Sequence, residues 1–561
     1  MRFNAFRNPI KEAPVVEEPT RASNDDEAAA KDKETLAADF EQEKSDGELD
    51  QGVQAVRAMT QVWTRKHLVI AYLLIWLISF IQAFSSGIIS TLTPFVTSSF
   101  QSHSLTATTS IVSNLVSGLI ILPYAKLMNL WGRPQSFSIM IFIVTIGLMQ
   151  LPRSFYGVGY TGIDFTTTIF IADTSSLKSR AFMIAFASSP YLATVWAYGP
   201  AAQHAYEHIG FRWGLGVWAI VYPVVTLPLC ALFWHYQNKA VKQGLVKREP
   251  SNRTFSQSVV YYLKEFDVVG LLLIITGLSL FLLAFSLYSY QSNTWKSPLI
   301  ICFLIFGGLL VIAFAAWERF LAPTTFIPCI YCAWYIWDSY FYSFLIVVFR
   351  QSIAHASYIT NIYTVGSCFC ALCMGVIIRL NGRLKWQALY FGVPLTVLGV
   401  GLMIHFRQPD SHIGYIVMCQ IFIAFGGGIL VICEQMTVMA VSKHQDIPAI
   451  LAVERMISSV GGAIGLAIAA AMWTGIFPAK LTKYLPADAM GEFASIYGDL
   501  TVQSSYPWGS PTRDAINKAY GDTQRLMLIA ATCLYSITIF SVIMWKNINV
   551  KKIEQVKGLV W

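Results

Sequence analysis

Five charged residues stand inside otherwise apolar runs: Asp164, Asp338, Glu434, Glu454 and Arg455. A carboxylate near the middle of such a run costs about 2.5–3.5 kcal/mol on insertion scales, so it has a job or a partner. Glu434 lies about seven residues before the end of its run, and Arg455 about seven after the start of the next. At about 1.5 Å per residue both sit about 10 Å deep. They are predicted to pair across two neighbouring helices. Such a pair reads equally as part of a gate or proton relay, with Glu454 beside it, or as a structural ion pair that fixes packing. Asp338 lies in CAWYIWDSYFYSFL, a run crowded with Trp and Tyr. Rings with hydroxyl or indole handles, Tyr340 and Tyr342 among them, suit a bulky and partly polar ligand. An aromatic belt at a membrane surface has the same composition, but Asp338, Ser339 and Tyr340 fall near mid-run, which favours the ligand. Asp164, with Tyr160, opens the stretch Tyr160 to Pro200, in which two apolar runs are hinged on a polar knot from Asp173 to Arg180.

Other motifs carry less. Gly157, Gly159 and Gly162 satisfy GxGxxG, but a dinucleotide site needs a preceding strand and a βαβ unit. Inside an apolar run the glycines read as close helix packing. Gly426-Gly427-Gly428 and Gly461 with Gly465 read the same way. No GxxxxGK[ST] occurs, which excludes pumping through a nucleotide site on this chain. His204 and His208 flank Glu207 one turn apart without further ligands, so a wet loop is expected rather than a metal. The chain has 10 cysteines, nearly all in apolar runs. Cys368, Cys370 and Cys373, and the pair Cys329 and Cys332, read as small buried hydrophobes rather than ligands. No cofactor and no resident metal are expected.

These residues need helices in hydrocarbon to hold them. Apolar residues make up 55% of the chain and charged ones 13%. Runs of about 20 apolar residues recur, each long enough to cross about 30 Å of hydrocarbon as a helix. The expected fold is an all-α membrane protein with about fourteen transmembrane helices. Residues 1–56 form an acidic, aromatic-poor tail expected to be disordered, and no cleavable signal peptide is visible in them. Residues 57–236 carry spans one to six, 237–265 a polar linker, and 266–477 spans seven to thirteen. Residues 478–524 are expected as a long wet loop, 525–545 as the last span and 546–561 as a tail. Lys and Arg concentrate in alternate loops, among them Lys126, Arg133, Arg180, Arg383 and Lys385, which places both termini in the cytoplasm. The formal net charge of +8 is thus topogenic and gives no reason to expect nucleic acid. Asn252-Arg253-Thr254 matches a glycosylation acceptor but faces the cytosol on this topology. The connection AKLMNLWGRPQ, ending in Gly132-Arg133, is echoed by GVIIRLNGRLKW with Gly382-Arg383, as expected of two repeated bundles around a midplane site.

Several runs are specific enough to carry a resemblance. Thr91–Leu105 (TLTPFVTSSFQSHSL) resembles the first outer loop of fungal siderophore–iron transporters, a fourteen-span branch of the major facilitator superfamily. Phe170–Arg180 (FIADTSSLKSR) is similar to their fourth–fifth loop. Tyr340–Leu345, Ala356–Ile359, Gly382–Lys385 and Ser504–Ile516 (SSYPWGSPTRDAI) match further on, so the likeness covers residues 57–545. The resemblance implies two pseudo-symmetric helical bundles plus two extra helices, and proton-coupled uptake of ferric siderophores by a monomer, most simply at the plasma membrane, with endosomal or vacuolar vesicles the alternative. The siderophore wraps the iron, so the protein needs a cavity rather than metal ligands. Tyr160, Asp164, Asp338, Tyr340, Tyr342 and Tyr506 are the candidate binding residues. Asp173, Arg180, Glu434, Glu454 and Arg455 are candidates for coupling or gating, and Lys126, Asn129, Gly132 and Arg133 form the inner loop motif. Asn129 stands where the superfamily motif has an acid, which weakens the expected charge clasp. The third–fourth connection is about a dozen residues shorter than in the resembled family, and Glu454-Arg455 replaces apolar residues. Exporters and exchangers of glutathione or drugs share the span count, and Gly199-Pro200 resembles the exporters' kinked motif. A non-transporting receptor is the third reading.

Overall fold

The computed structural model describes residues 62–99, 106–149, 153–243, 256–257, 267–320, 333–440 and 447–553. The acidic tail, most of the polar linker, the Asn252 acceptor and the Cys329/Cys332 pair lie outside the described residues. Helices dominate. In chain order they are α1 (Arg65–Ser99), α2 (Thr106–Leu119), α3 (Ile121–Trp131), α4 (Arg133–Leu148), α5 (Arg153–Thr174), α6 (Leu177–Ser188), α7 (Pro190–His204) and α8 (Trp218–Lys242) in the first half. The pair α9 (Val268–Leu287) and α10 (Pro298–Phe320) follows. The second half holds α11 (Ala333–Asp338), α12 (Phe341–Val347), α13 (Ile353–Thr360), α14 (Ile362–Asn381), α15 (Val393–Phe406), α16 (Ile413–Ala440), α17 (Ile447–Tyr484), the short α18 (Phe493–Gly498) and α19 (Leu500–Ser505), and α20 (Pro511–Met544).

Among the described residues, 11 helices are long and apolar enough to cross a membrane, and Arg133–Leu148 is a shorter apolar one. Two helical segments differ plainly from the sequence expectation. Helix α17 continues to Tyr484 and α20 begins at Pro511, so the segment between them is residues 485–510, shorter than the predicted loop. The aromatic run around Asp338 is not one rod: it breaks between α11 and α12, with Tyr340 in a non-helical conformation at φ −118°, ψ 15°.

Glycine sets the tight crossings. A Cβ at Gly159 would collide with Val144, one at Gly162 with Met140, and one at Gly147 with the backbone of Tyr156. The short third–fourth connection is therefore matched by a hairpin, α4 tight against α5, with Gly159 and Gly162 of the GxGxxG run at its seam and Gly157 against Ser113 of α2. Gly426 abuts Thr396, Gly427 abuts Tyr363 and Gly428 abuts Ser367, which lets α16 lie between α14 and α15. Helices α9 and α10 cross at Gly277 and Gly307. Asp267 ties them: its carboxylate caps α9 at the Gly270 N–H (3.2 Å) and accepts from Trp317 Nε1 of α10 (2.8 Å).

The halves meet along α2 against α17 and α6 against α14. The two predicted echo turns are both real. Gly132 ends α3 at φ 97° and Gly382 ends α14 at φ 71°, left-handed conformations that glycine adopts without strain. We call the end that carries these turns the basic end. There a final segment, 548–553, crosses the seam. The Val550 N–H donates to the Gly382 carbonyl (2.9 Å), and Arg383 forms an isolated bridge with Asn549. Ile548 and Val550 are buried in the same core as Ala181 of α6 and Ile378 of α14, so this strap touches both halves.

The opposite end is sealed by residues 485–510. Ile496, Leu500 and Gln503 are fully buried, and the Leu500 N–H donates to Ser98 Oγ of α1 (3.3 Å). Arg513, buried at the start of α20, donates to the Gln503 carbonyl and to the Val347 carbonyl, both at 2.6 Å.

Candidate functional site

Asp164 lies ten residues before the end of α5 and eleven after its start, so at about 1.5 Å per residue it is about 15 Å from either end. Arg455 lies eight residues into α17, about 12 Å deep on the same arithmetic. The two meet. Arg455 Nη1 donates to Asp164 Oδ2 at 2.5 Å and Nη2 to Thr168 Oγ1 at 3.2 Å. The guanidinium carbon stands 5.6 Å from the centre of the Phe165 ring. Of the ion pairs between described residues, this one joins the first half to the second.

The pair corrects the sequence reading. Glu434 was expected to hold Arg455; instead Arg455 reaches across to the other half. The reason is helical direction: Asp164 and Thr168 are one turn apart on one face of α5 and present two acceptors to a planar fork, which Glu434 alone cannot match. Glu434 lies near enough to Glu454 to feel its charge. One Glu454 oxygen, Oε2, is buried with no hydrogen-bond partner among the described residues.

Asp164 keeps 42% of its side chain accessible, because it borders a small cleft. The cleft is lined by Ser79 and Gln82 of α1, by Thr167, Thr168 and Ile171 of α5, and by α6 and α7 through Ile184, Ser188 and Tyr191. Tyr160 stands behind the lining and holds two of its side chains: its hydroxyl bonds to that of Tyr191 (2.7 Å), and its carbonyl accepts from Gln82 Nε2 (3.2 Å). The lining therefore offers an acid, an amide and several hydroxyls, a surface suited to hydrogen-bonding a polar solute rather than to coordinating a metal. Among the described residues no group of three His, Cys, Asp or Glu side chains could hold a metal ion.

The other aromatic candidates stand elsewhere. Tyr340 is fully buried, stacked on Trp473 at 4.1 Å, which in turn stacks on Phe477 at 4.4 Å. It is core at the opposite end, not cavity wall, which corrects its assignment as a binding residue. Asp338 is half-buried beside the same cluster. Its charge acts on Arg407, a buried guanidinium that donates to the Trp337 carbonyl (3.0 Å) and lies 4.3 Å from the Phe341 ring. Burial pulls Arg407 below its ordinary range, and Asp338 opposes that pull. Tyr342 donates to the Ile353 carbonyl (3.3 Å) and meets Phe95 edge-on. Tyr506 donates to the Glu492 carboxylate within the sealing segment, and burial, with that carboxylate's help, pushes its hydroxyl up to about 12.

At the basic end Arg133 Nη2 meets Asp173 Oδ2 at 3.1 Å, with Nε at 3.2 Å and Nη1 on the Met128 carbonyl at 3.1 Å. Asn129 is buried alongside, its Oδ1 without a hydrogen bond. The clasp that Asn129 fails to supply is thus made to α5 through Asp173. Arg180 Nη2 donates to the Ala172 and Ser175 carbonyls (3.0 and 3.2 Å), tying off the end of α5. Lys126, the first member of the inner loop motif, stands on α3, half-buried.

Sequence reasoning missed Gln82, Thr168 and Tyr191. Thr168 and Tyr191 carry no charge and blend into apolar runs; Gln82, an amide inside SFIQAFSS, was a visible signal.

A family model described as Major Facilitator Superfamily matches residues 75–466. The chain is 53% identical to MFS siderochrome iron transporter 1 of Ajellomyces capsulatus, over 91% of this chain and 91% of that one. It is 43% identical to siderochrome iron transporter 2 of Aspergillus fumigatus, over 91% and 88%. It is 39% identical to siderophore iron transporter mirB of Emericella nidulans, over 91% and 89%. With these matches spanning nearly its whole length, the chain belongs to the Major Facilitator Superfamily and, within it, to the fungal siderophore–iron transporters, a family of transporters rather than enzymes.

Proposed function

We propose that this protein imports ferric siderophore complexes, coupled to protons, by alternating access. The observation that carries the reading is the Asp164–Arg455 bridge, a cross-half ion pair on the wall of a polar cleft deep in the helices. The relatives' names supply the cargo class. The cleft seen here is too small for an iron chelate, so that cargo is admitted as the halves part. Parting requires the cross-half bridge to open, which frees the Asp164 carboxylate on the cleft wall as the group where protons and cargo meet. That couples cargo movement to protons.

The energetics permit it. One charge moved through 100 mV yields about 2.3 kcal/mol, and one pH unit adds about 1.4 kcal/mol. Together they allow several-hundred-fold accumulation per proton. On this reading about fourteen helices span the bilayer, with both termini in the cytoplasm, the basic end inward and residues 485–510 outward, in the plasma membrane, as a monomer.

The test is growth on single ferric siderophores in a fungal strain stripped of its own uptake systems, with labelled-iron uptake measured with and without an uncoupler. Uptake that the uncoupler abolishes supports the proposal. Growth on no ferric siderophore from a protein that reaches the surface refutes it, and efflux of loaded glutathione or dye would assign the exporter reading instead.

A further inference from the structure

At the sealed end, α17 and α20 carry charges that transport of the cargo does not use. Helix α17 has 38 residues and α20 has 34, about 57 and 51 Å at about 1.5 Å per residue. Both outrun a hydrocarbon layer of about 30 Å, so their paired ends stand among lipid headgroups. Lys480 Nζ and the Tyr484 hydroxyl of α17 both donate to Asp522 Oδ2 of α20, at 2.8 and 2.7 Å. Two further lysines flank the same tyrosine. Lys518 Nζ of α20 lies 4.8 Å from the centre of its ring and Lys483 Nζ of α17 lies 5.5 Å from it. Both lysines are exposed, and among the described residues neither has a carboxylate within ion-pair distance. Like charges are thus held on one ring, within about a screening length of each other. Asp522 is the one acid bonded in the set, which leaves a surplus of two positive charges, and Arg525 is exposed one turn below.

The surroundings fix the level of this cluster and the chemistry of its partner. Lys518, Asp522, Leu526 and Ile529 recur at helical spacing along one face of α20. The first two are charged. Leu526 and Ile529 are 42% and 40% exposed, an apolar stripe that hydrocarbon covers. Beside α17, the Tyr288 hydroxyl donates to the Ala471 carbonyl (3.4 Å) and lies against Gly475, and its ring stacks on exposed Trp295 at 4.2 Å. Tyr and Trp at the turn between two spans mark the edge of the hydrocarbon. Lys480 stands five residues beyond Gly475, about 7.5 Å further out, which is headgroup depth. We propose that Lys483 and Lys518, flanking the Tyr484 ring, bind the phosphate of an anionic lipid headgroup in the leaflet at the sealed end, with its acyl chains along Leu526 and Ile529. The ammoniums supply charge-assisted donors and the phosphate diester accepts. The Lys480–Asp522 bridge holds the two helix ends at the spacing the headgroup spans, and the bound lipid in turn ties α17 to α20. The proposal involves neither cargo nor protons, so it stands or falls apart from the transport reading.

The experiment follows unfolding of the full-length protein in nonionic micelles by tryptophan fluorescence. Three additives are titrated: dioctanoyl phosphatidylglycerol, a glucosyl diacylglycerol with the same chains, and inorganic phosphate. Phosphatidylglycerol is expected to raise the midpoint further than the glucosyl lipid does, and inorganic phosphate is expected to leave it unmoved. In K483A/K518A the extra response to phosphatidylglycerol should need at least about ten-fold more lipid, while the response common to both lipids stays. K483R/K518R should retain the extra response, and so should K239A/K242A, which removes as much charge from the basic end. If the glucosyl lipid serves the unaltered protein equally well, if K483A/K518A responds as the unaltered protein does, or if K239A/K242A loses as much, the proposal is overturned. A rise with inorganic phosphate equal to that with phosphatidylglycerol makes this a free-anion site and overturns the lipid assignment. Displacement of the lipid by an anionic ferric siderophore overturns it too, in favour of the cargo.

Discussion

Removing one member of the Arg133–Asp173 clasp leaves a charge stranded where both side chains are at most 7% exposed. At 3.1 Å and an effective dielectric of about 20, the gross attraction is about 5 kcal/mol. Breaking a buried pair from one side costs about 3–5 kcal/mol, because the survivor keeps its desolvation penalty. In D173N the guanidinium retains the Met128 carbonyl, and Arg180 also loses the field of Asp173, so about 4 kcal/mol is expected. R133Q strands Asp173 and is expected to cost about 3 kcal/mol. The double variant R133Q/D173N strands no charge, so its cost should fall about 2–3 kcal/mol short of the sum of the singles. Reversible unfolding in mixed micelles, followed by tryptophan fluorescence, measures all three. Additivity within about 0.5 kcal/mol would show the two residues to be uncoupled. The reading of Arg133 and Asp173 as one coupled clasp would then be wrong.

Other expectations follow from single contacts. Gly159→Leu drives a side chain into Val144 and should cost more than about 3 kcal/mol, seen as loss of monodisperse protein in detergent. R513A removes the donor shared by the Gln503 and Val347 carbonyls, at about 2–3 kcal/mol, and should expose residues 485–510 to protease. R513K should not restore protection, since one ammonium cannot imitate the fork. The Tyr506 hydroxyl, pushed up to about 12, stays neutral from about pH 5 to 8. Y506F should therefore leave the pH profile of uptake unchanged; a shifted profile would mean that the hydroxyl titrates with the cargo. D267A should loosen α9 from α10 by removing both the cap and the Trp317 acceptor, costing about 1–3 kcal/mol in the same unfolding assay.

The all-helical membrane fold was legible because hydrophobic runs of membrane length are hard to mistake. The echo of Gly132-Arg133 and Gly382-Arg383 was legible for the same kind of reason: a left-handed turn asks for glycine wherever it recurs. Partnership between charges was not legible. Depth along a helix follows from counting, and counting put Glu434 and Arg455 at one level; azimuth around a helix depends on packing, and packing turned Arg455 toward Asp164 and Thr168. The aromatic run around Asp338 misled differently. Its composition suits a ligand wall and a stacked core equally well, and only the break at Tyr340 and the partner ring of Trp473, distant in sequence, choose between them.

The strap formed by residues 548–553 gives the chain's rear a mechanical say in its cycle. Hydrogen-bonded to Gly382 and wedged beside α6, it would have to peel away if the two halves part at this end as proposed. Whatever is tethered downstream, whether a fluorescent reporter, a ubiquitin chain or a scaffold protein, pulls on that peel. Load applied there would alter how often the mouth opens while every cargo contact stays intact.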